Sequence, residues 1–190
     1  LSEKRLIFFI SLVLLLSSIV LLGYQNRSIV PILIILPFGW LYSINLPKLG
    51  RIKSRLLIKN LYSALVGWAI PITMVISLSH QEPLSAHLLL IGGIQIACSN
   101  FIFELLWDIR DIEGDRSAAI KTIPNTFGIQ TTKITAFCTL FGLTLLNKVI
   151  ADNYAIIHTI YFSVCILAAS PSRRPLFYHS IILGYNLWQF

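Results

Sequence analysis

Seven apolar runs separated by short charged loops constrain this chain more than any other feature. They are Leu6 to Leu22, Ile29 to Leu46, Leu61 to Leu78, Leu84 to Trp107, Ile134 to Leu146, Tyr154 to Ala169 and Leu176 to Phe190. A helix needs about 20 apolar residues to cross a bilayer, and the shorter runs gain length from their polar flanks. Membrane barrel strands are excluded, because they alternate apolar and polar residues over about ten positions. Only 12% of the residues are charged, against roughly a quarter in soluble domains. The expected fold is an all-α polytopic transmembrane helix bundle, seven spans in one domain over residues 1–190. The first run is no signal peptide, since no small-residue cleavage site follows and later runs are equally apolar. The chain opens at Leu1 just ahead of a span, so it reads as an N-terminally incomplete piece.

Charge then orients the bundle. Of the 15 Lys and Arg, all but Arg27 and Lys148 fall in one set of alternate loops, the distribution of cytoplasmic loops. The net charge of +7 is therefore a topology signal, and nucleic-acid binding is excluded. Cys98, Cys138 and Cys165 lie far apart in apolar runs, which suggests neither a disulfide framework nor a zinc site. His80, His87, His158 and His179 show no ligand spacing with acidic partners.

The chemistry concentrates where the fourth run ends. Asp108, Asp111 and Asp115 stand at i, i+3 and i+7, so on one helix they project from one face toward a shared metal or metal-phosphate cluster. Asn100 and Glu104 extend the stripe back into the membrane, where polar side chains face a cavity rather than lipid. Hard oxygen donors of this kind suit Mg²⁺, which takes one or two carboxylates together with substrate phosphates. Arg116 and Lys121 follow the aspartates. Lys48, Arg51, Lys53, Arg55 and Lys59 crowd a loop on the same side, and Lys59 and Asn60 open the next span at the membrane surface. Such residues can bind a diphosphate, Arg by a fork and Lys as a point charge, though cytoplasmic loops are basic for topological reasons too. A metal-diphosphate site above an apolar bundle fits a lipid diphosphate, with cations stabilising the departing group.

The segment Asp108 to Gly128, D-I-R-D-I-E-G-D-R-S-A-A-I-K-T-I-P-N-T-F-G, resembles the second aspartate-rich motif of the UbiA superfamily of intramembrane prenyltransferases. Tyr42, the basic loop and Lys59-Asn60-Leu61-Tyr62 resemble that family's loop between its fourth and fifth helices. The resemblance implies that the seven spans are the third to ninth of a nine-helix bundle. It implies Asp108, Asp111 and Asp115 as metal ligands, assisted by Arg116, Lys121 and Lys59, with Asn100 and Glu104 near the reacting carbon. The family's first aspartate motif is missing, so this piece alone is expected to be inactive. Ala119 stands where the family commonly has Gly. The implied activity is Mg²⁺-dependent transfer of an isoprenyl group from a prenyl diphosphate to an aromatic or other lipid-pathway acceptor. The competing reading is a secondary transporter with Asn100, Glu104 and Asp108 as an ion or proton path, against which stand the missing inverted repeat and the position of the acids at a helix end.

Overall fold

A computed structural model describes residues 13, 17, 37, 42, 45–46, 50–51, 54–79, 85–149, 155–172 and 176–181. The runs Leu6 to Leu22 and Ile29 to Leu46 therefore lie almost wholly outside the described residues, as does Lys53. The described residues are mainly helical, with one short ladder among them. In that ladder β1 (Asn45–Leu46) pairs antiparallel with β2 (Gly50–Arg51), Asn45 opposite Arg51 and Leu46 opposite Gly50. Asn45 and Leu46, expected at the end of a span, thus belong to a hairpin. Pro47 follows them directly, and a residue before proline is pushed from the helical to the extended region.

After the hairpin the chain is continuously helical from Ile58 to Ser79, but its hydrogen bonding changes twice. Helix α1 (Ile58–Tyr62) passes into a π-helical segment (Ser63–Ala69), which passes into α2 (Ile70–Ser79). Pro71 explains the change: it has no N–H to donate to the carbonyl of Gly67, and its ring crowds that carbonyl. Widening the preceding turns relieves the clash, and π-helical turns are found mostly at functional sites.

Helix α3 (Ala86–Arg110) is the central element. Ser85 caps it, its Oγ accepting from the Leu88 N–H at 3.2 Å, and no proline interrupts the following 25 residues. At 1.5 Å per residue α3 is about 37 Å long, more than the roughly 30 Å of a bilayer's hydrocarbon. It ends at Asp111, whose backbone leaves the helical region at φ −93° and ψ 11°. Two short helices follow, α4 (Ile112–Ser117) and α5 (Ile123–Phe127). Pro124 opens α5 at a position where no intrahelical donor is lost, and the Thr122 N–H donates to Asn125 Oδ1 at 2.9 Å. Gly128 then turns the chain at φ 91°, a conformation that favours glycine.

Helix α6 (Ile129–Val149) begins five residues before the apolar run that predicted it. Thr131, Thr132, Thr135, Thr139 and Thr144 account for the difference in kind. Each donates its hydroxyl to the carbonyl four residues back, so residues that look polar in sequence are satisfied inside an apolar helix. Helix α7 (Ala155–Ala168) follows, its final turn bonded by Lys133 Nζ, which donates to Leu167 O at 2.8 Å. Residues 176–181 are helical and dock back, the buried Tyr178 donating to Ser170 O at 2.8 Å.

Among the described helices, Ala86–Arg110 and Ile129–Leu146 are long and apolar enough to cross a membrane. The buried core joins the lower half of α3 to the other helices: Ile102, Phe103, Leu105, Leu106 and Ile109 pack with Leu140 of α6, Phe162 and Ile166 of α7, and Tyr178. That core surrounds the end of α3 that carries Asp108 and fixes it in place.

Candidate active site

Helices α1 and α3 run antiparallel and meet along a polar seam. Lys59 Nζ lies 2.6 Å from Asp108 Oδ1 and 3.2 Å from Asp115 Oδ2. Asn60 Nδ2 donates to the other Asp108 oxygen at 2.8 Å. One turn further along α1 and one turn back along α3, Ser63 Oγ donates to Glu104 Oε1 at 2.6 Å. Asp108 is 1% exposed and Asn60 fully buried. Buried carboxylates are tolerated only when paired and hydrogen-bonded, and here Lys59 and Asn60 together satisfy both Asp108 oxygens. Burial works against the Lys59 ammonium, but Asp108 and Asp115 outweigh it and hold its pKa above the usual lysine value. It is charged at neutral pH.

The three aspartates do not converge as helical spacing predicts. Because α3 breaks at Asp111, the side chain of Asp111 turns outward and forms a forked pair with its neighbour, Arg110 Nε and a terminal nitrogen donating at 2.6 and 2.5 Å. Asp115 returns to the seam after the break, through the Asp115 N–H to Asp111 O bond of 2.8 Å that starts α4. Among the described residues no three of His, Cys, Asp and Glu form a metal cluster. Two carboxylates meet, with an ammonium between them.

The other expected site residues are placed as follows. Tyr42 stacks on Tyr62 at 5.4 Å between ring centroids and lies within electrostatic reach of Glu104, Lys59 and Asp108. Asn100 is half-buried on the stripe but donates to its own helix, at Ile96 O. Arg116 and Lys121 are exposed at the mouth of the site, and the Lys121 N–H reaches Ser54 O at 3.4 Å, tying the aspartate loop to the loop before α1. Arg51 is described only as part of β2. Two residues escaped the sequence reading. Ser63 stands at i+4 from Lys59, and that spacing alone places it on the same helix face. Arg110, partner of Asp111, gave no sequence signal beyond adjacency.

Further along α3, from Cys98 toward its N-terminus, an apolar cavity of about 850 Å³ lies between the π segment and α2 on one side and α3 on the other. Leu65, Ala69, Met74, Gly93, Ile94 and Cys98 are among its lining residues. Helices α2 and α3 approach closely at Gly93, where a Cβ would stand 3.2 Å from Thr73 Cγ2.

The chain is thus helical, with two helices among the described residues long and apolar enough to cross a membrane, a buried acid paired with a part-buried base, and an apolar cavity further along α3. The chain belongs to the UbiA prenyltransferase family, whose model matches residues 1–174. It is thus a membrane-integral prenyltransferase, of a family that acts on prenyl diphosphates and lipid-type acceptors. No curated protein and no solved structure matches it.

Proposed function

We propose that this protein transfers an isoprenyl group from a prenyl diphosphate to an aromatic or other lipid-pathway acceptor, with Mg²⁺ at the diphosphate. One observation carries the reading: the charged seam and the apolar cavity lie along the same two stretches of helix, Ile58–Ser79 and α3, with about three turns of α3 between Asp108 and the first cavity residue, Cys98. A diphosphate at Lys59, Asp108 and Asp115 places its hydrocarbon tail in the cavity between α2 and α3.

The donor set fits the metal. All candidate ligands are hard oxygens, as Mg²⁺ requires. The buried Asn60 Oδ1 has no hydrogen-bond partner, an oxygen left over beside the carboxylates. An ammonium already stands between Asp108 and Asp115, so the place attracts a cation. Asp108 and Asp115 would hold the ion, and Asp111 could be added to them at small cost, since its pair with Arg110 is of the exposed kind that contributes about 0–1 kcal/mol. When bound, Mg²⁺ neutralises the charge that develops on the leaving diphosphate. Lys59, Arg116 and Lys121 bind non-bridging oxygens and add to that stabilisation, with Arg51 and Lys53 as further candidates from the basic loop. The bond from the allylic carbon to the diphosphate oxygen breaks with its electron pair on oxygen. The acceptor nucleophile forms the new bond, and its proton goes to the departed diphosphate. Glu104 and Asn100, on α3 between Asp108 and the cavity, and Tyr42, stacked on Tyr62, orient the acceptor.

The same reading makes the protein a single multi-pass domain with seven spans in this chain, the aspartate end facing the cytoplasm, as the basic loops indicate. The test uses the full-length protein purified in detergent, with labelled farnesyl or geranylgeranyl diphosphate and a panel of acceptors, in Mg²⁺ or EDTA. Label is expected in one acceptor and only with Mg²⁺. Transfer that survives EDTA overturns the metal assignment, and failure of any diphosphate to bind overturns the reading of the site.

A further inference from the structure

Among the described residues one cation bridges Asp108 and Asp115, and it is part of the protein. Lys59 reaches both carboxylates, and its side chain is 16% exposed while that of Asp108 is 1% exposed. It is held by position as well as by charge, because Asn60, the next residue, is anchored to the second oxygen of Asp108. The hydrogen-bond sense is fixed: only the amide nitrogen of Asn60 can donate to a carboxylate. Its oxygen is consequently the atom left buried and without a partner.

We propose that Lys59 is a built-in placeholder cation, which occupies the metal position until diphosphate binds and then moves to the diphosphate. This deepens the function proposed above and rests on it. Two unpaired carboxylates at this depth would be costly, so a site that waits empty between turnovers needs a resident positive charge. The same charge repels an incoming divalent ion, and a metal alone gains little by displacing an ammonium whose ion pairs, among the described residues, are those to Asp108 and Asp115. A diphosphate supplies that other partner. Lys59 can then leave the carboxylates for phosphate oxygens, its long stem pivoting about a fixed backbone, while the metal takes its place with Asn60 Oδ1 as an added ligand. Metal and diphosphate therefore bind with strong positive coupling, and by reciprocity each tightens the other by the same factor. The device keeps a free metal ion from settling at the site without substrate.

The coupling is measurable without turnover. Mn²⁺ binding to the purified full-length protein is followed by electron paramagnetic resonance, with and without inorganic pyrophosphate at a concentration corrected for the Mn²⁺-pyrophosphate complex in solution. In the wild type, pyrophosphate is expected to tighten Mn²⁺ by about tenfold or more, within the usual range of coupling between sites. In Lys59→Met, Mn²⁺ alone binds more tightly than to wild type, and the coupling falls to less than about threefold. Lys59→Arg keeps the charge and retains weak binding of the metal alone, which separates the effect of charge from damage to the fold. Equal or weaker Mn²⁺ binding by Lys59→Met, with wild-type coupling intact, overturns the placeholder while leaving the metal-diphosphate site standing. Absence of any Mn²⁺ binding to wild type, with or without pyrophosphate, overturns both.

Discussion

Asp108 and Asp111 differ in how much of the fold depends on them. Asp108 is buried and bonded to Lys59 and Asn60, so removing its charge costs both stability and the proposed metal site. Breaking a buried pair by changing one partner typically costs about 3–5 kcal/mol, and Asn, which keeps an amide oxygen toward Lys59, should cost less. Asp111 is 45% exposed and paired only with Arg110. Asp108→Asn is therefore expected to lower both the unfolding midpoint and the transfer rate, the rate by about 100-fold or more, the scale of losing one electrostatic stabiliser. Asp111→Asn lowers transfer while leaving the midpoint within a degree or two, since exposed pairs contribute so little. Thermal unfolding followed by size-exclusion chromatography, beside the transfer assay, distinguishes the two. Ala119 offers a simpler check. It sits at φ 54°, in the left-handed region where a Cβ costs roughly 1 kcal/mol. Ala119→Gly is expected to raise stability by up to about 1 kcal/mol, read as an upward shift of the midpoint, with every proposed ligand left in place.

The helices themselves show where sequence suffices and where it stops. Apolar runs located α3 and α7 within a few residues, because in lipid an uninterrupted apolar run has few alternatives to helix. The start of α6 was missed because its threonines satisfy their hydroxyls on the helix backbone, which hydropathy does not register. The break at Asp111 was missed for another reason: neither proline nor glycine stands at it, and it accompanies the return of Asp115, the one buried residue of α4, to Lys59. That Asp108 meets Lys59 depends on contact between helices 49 residues apart, which family resemblance suggested and periodicity could not. The π segment is the most consequential of these features. Its first residue, Ser63, donates to Glu104, so a half-buried carboxylate gains a partner between the seam and the cavity. Removing that hydroxyl leaves Glu104 short of a partner and free to turn, at a cost of about 1–3 kcal/mol if it stays buried. Ser63→Ala is expected to lower kcat by several-fold with little change in the KM of the prenyl diphosphate, because Lys59 and the aspartates hold the diphosphate. Ser63→Thr, which restores the hydroxyl, should recover most of the loss. An unchanged kcat in Ser63→Ala removes Glu104 positioning from the mechanism.

At the scale of the molecule, all the chemistry lies at one end. Lys59, Asp108 and Asp115 meet there, and the Lys121 N–H to Ser54 O bond joins the aspartate loop to the basic loop. The positive-inside distribution supports our proposal that this end faces the cytoplasm, and it rests on no contact in the structure. His87, at the start of α3, is separated from Asp108 by 21 residues of helix, about 31 Å of rise, so it belongs at the opposite face. Both His87 and Ala118 are exposed and neither takes part in the seam. With Cys98, Cys138 and Cys165 replaced by Ala, Ala118→Cys is expected to react with a membrane-impermeant maleimide only in inside-out vesicles, and His87→Cys only in right-side-out ones. Labelling of both positions from the same side overturns the spanning assignment of α3, whereas labelling of each from the side opposite to that expected keeps the span and reverses the orientation. The first outcome removes the geometry on which a buried site at a membrane surface depends. The second leaves that geometry intact and moves the supply of prenyl diphosphate to the other compartment.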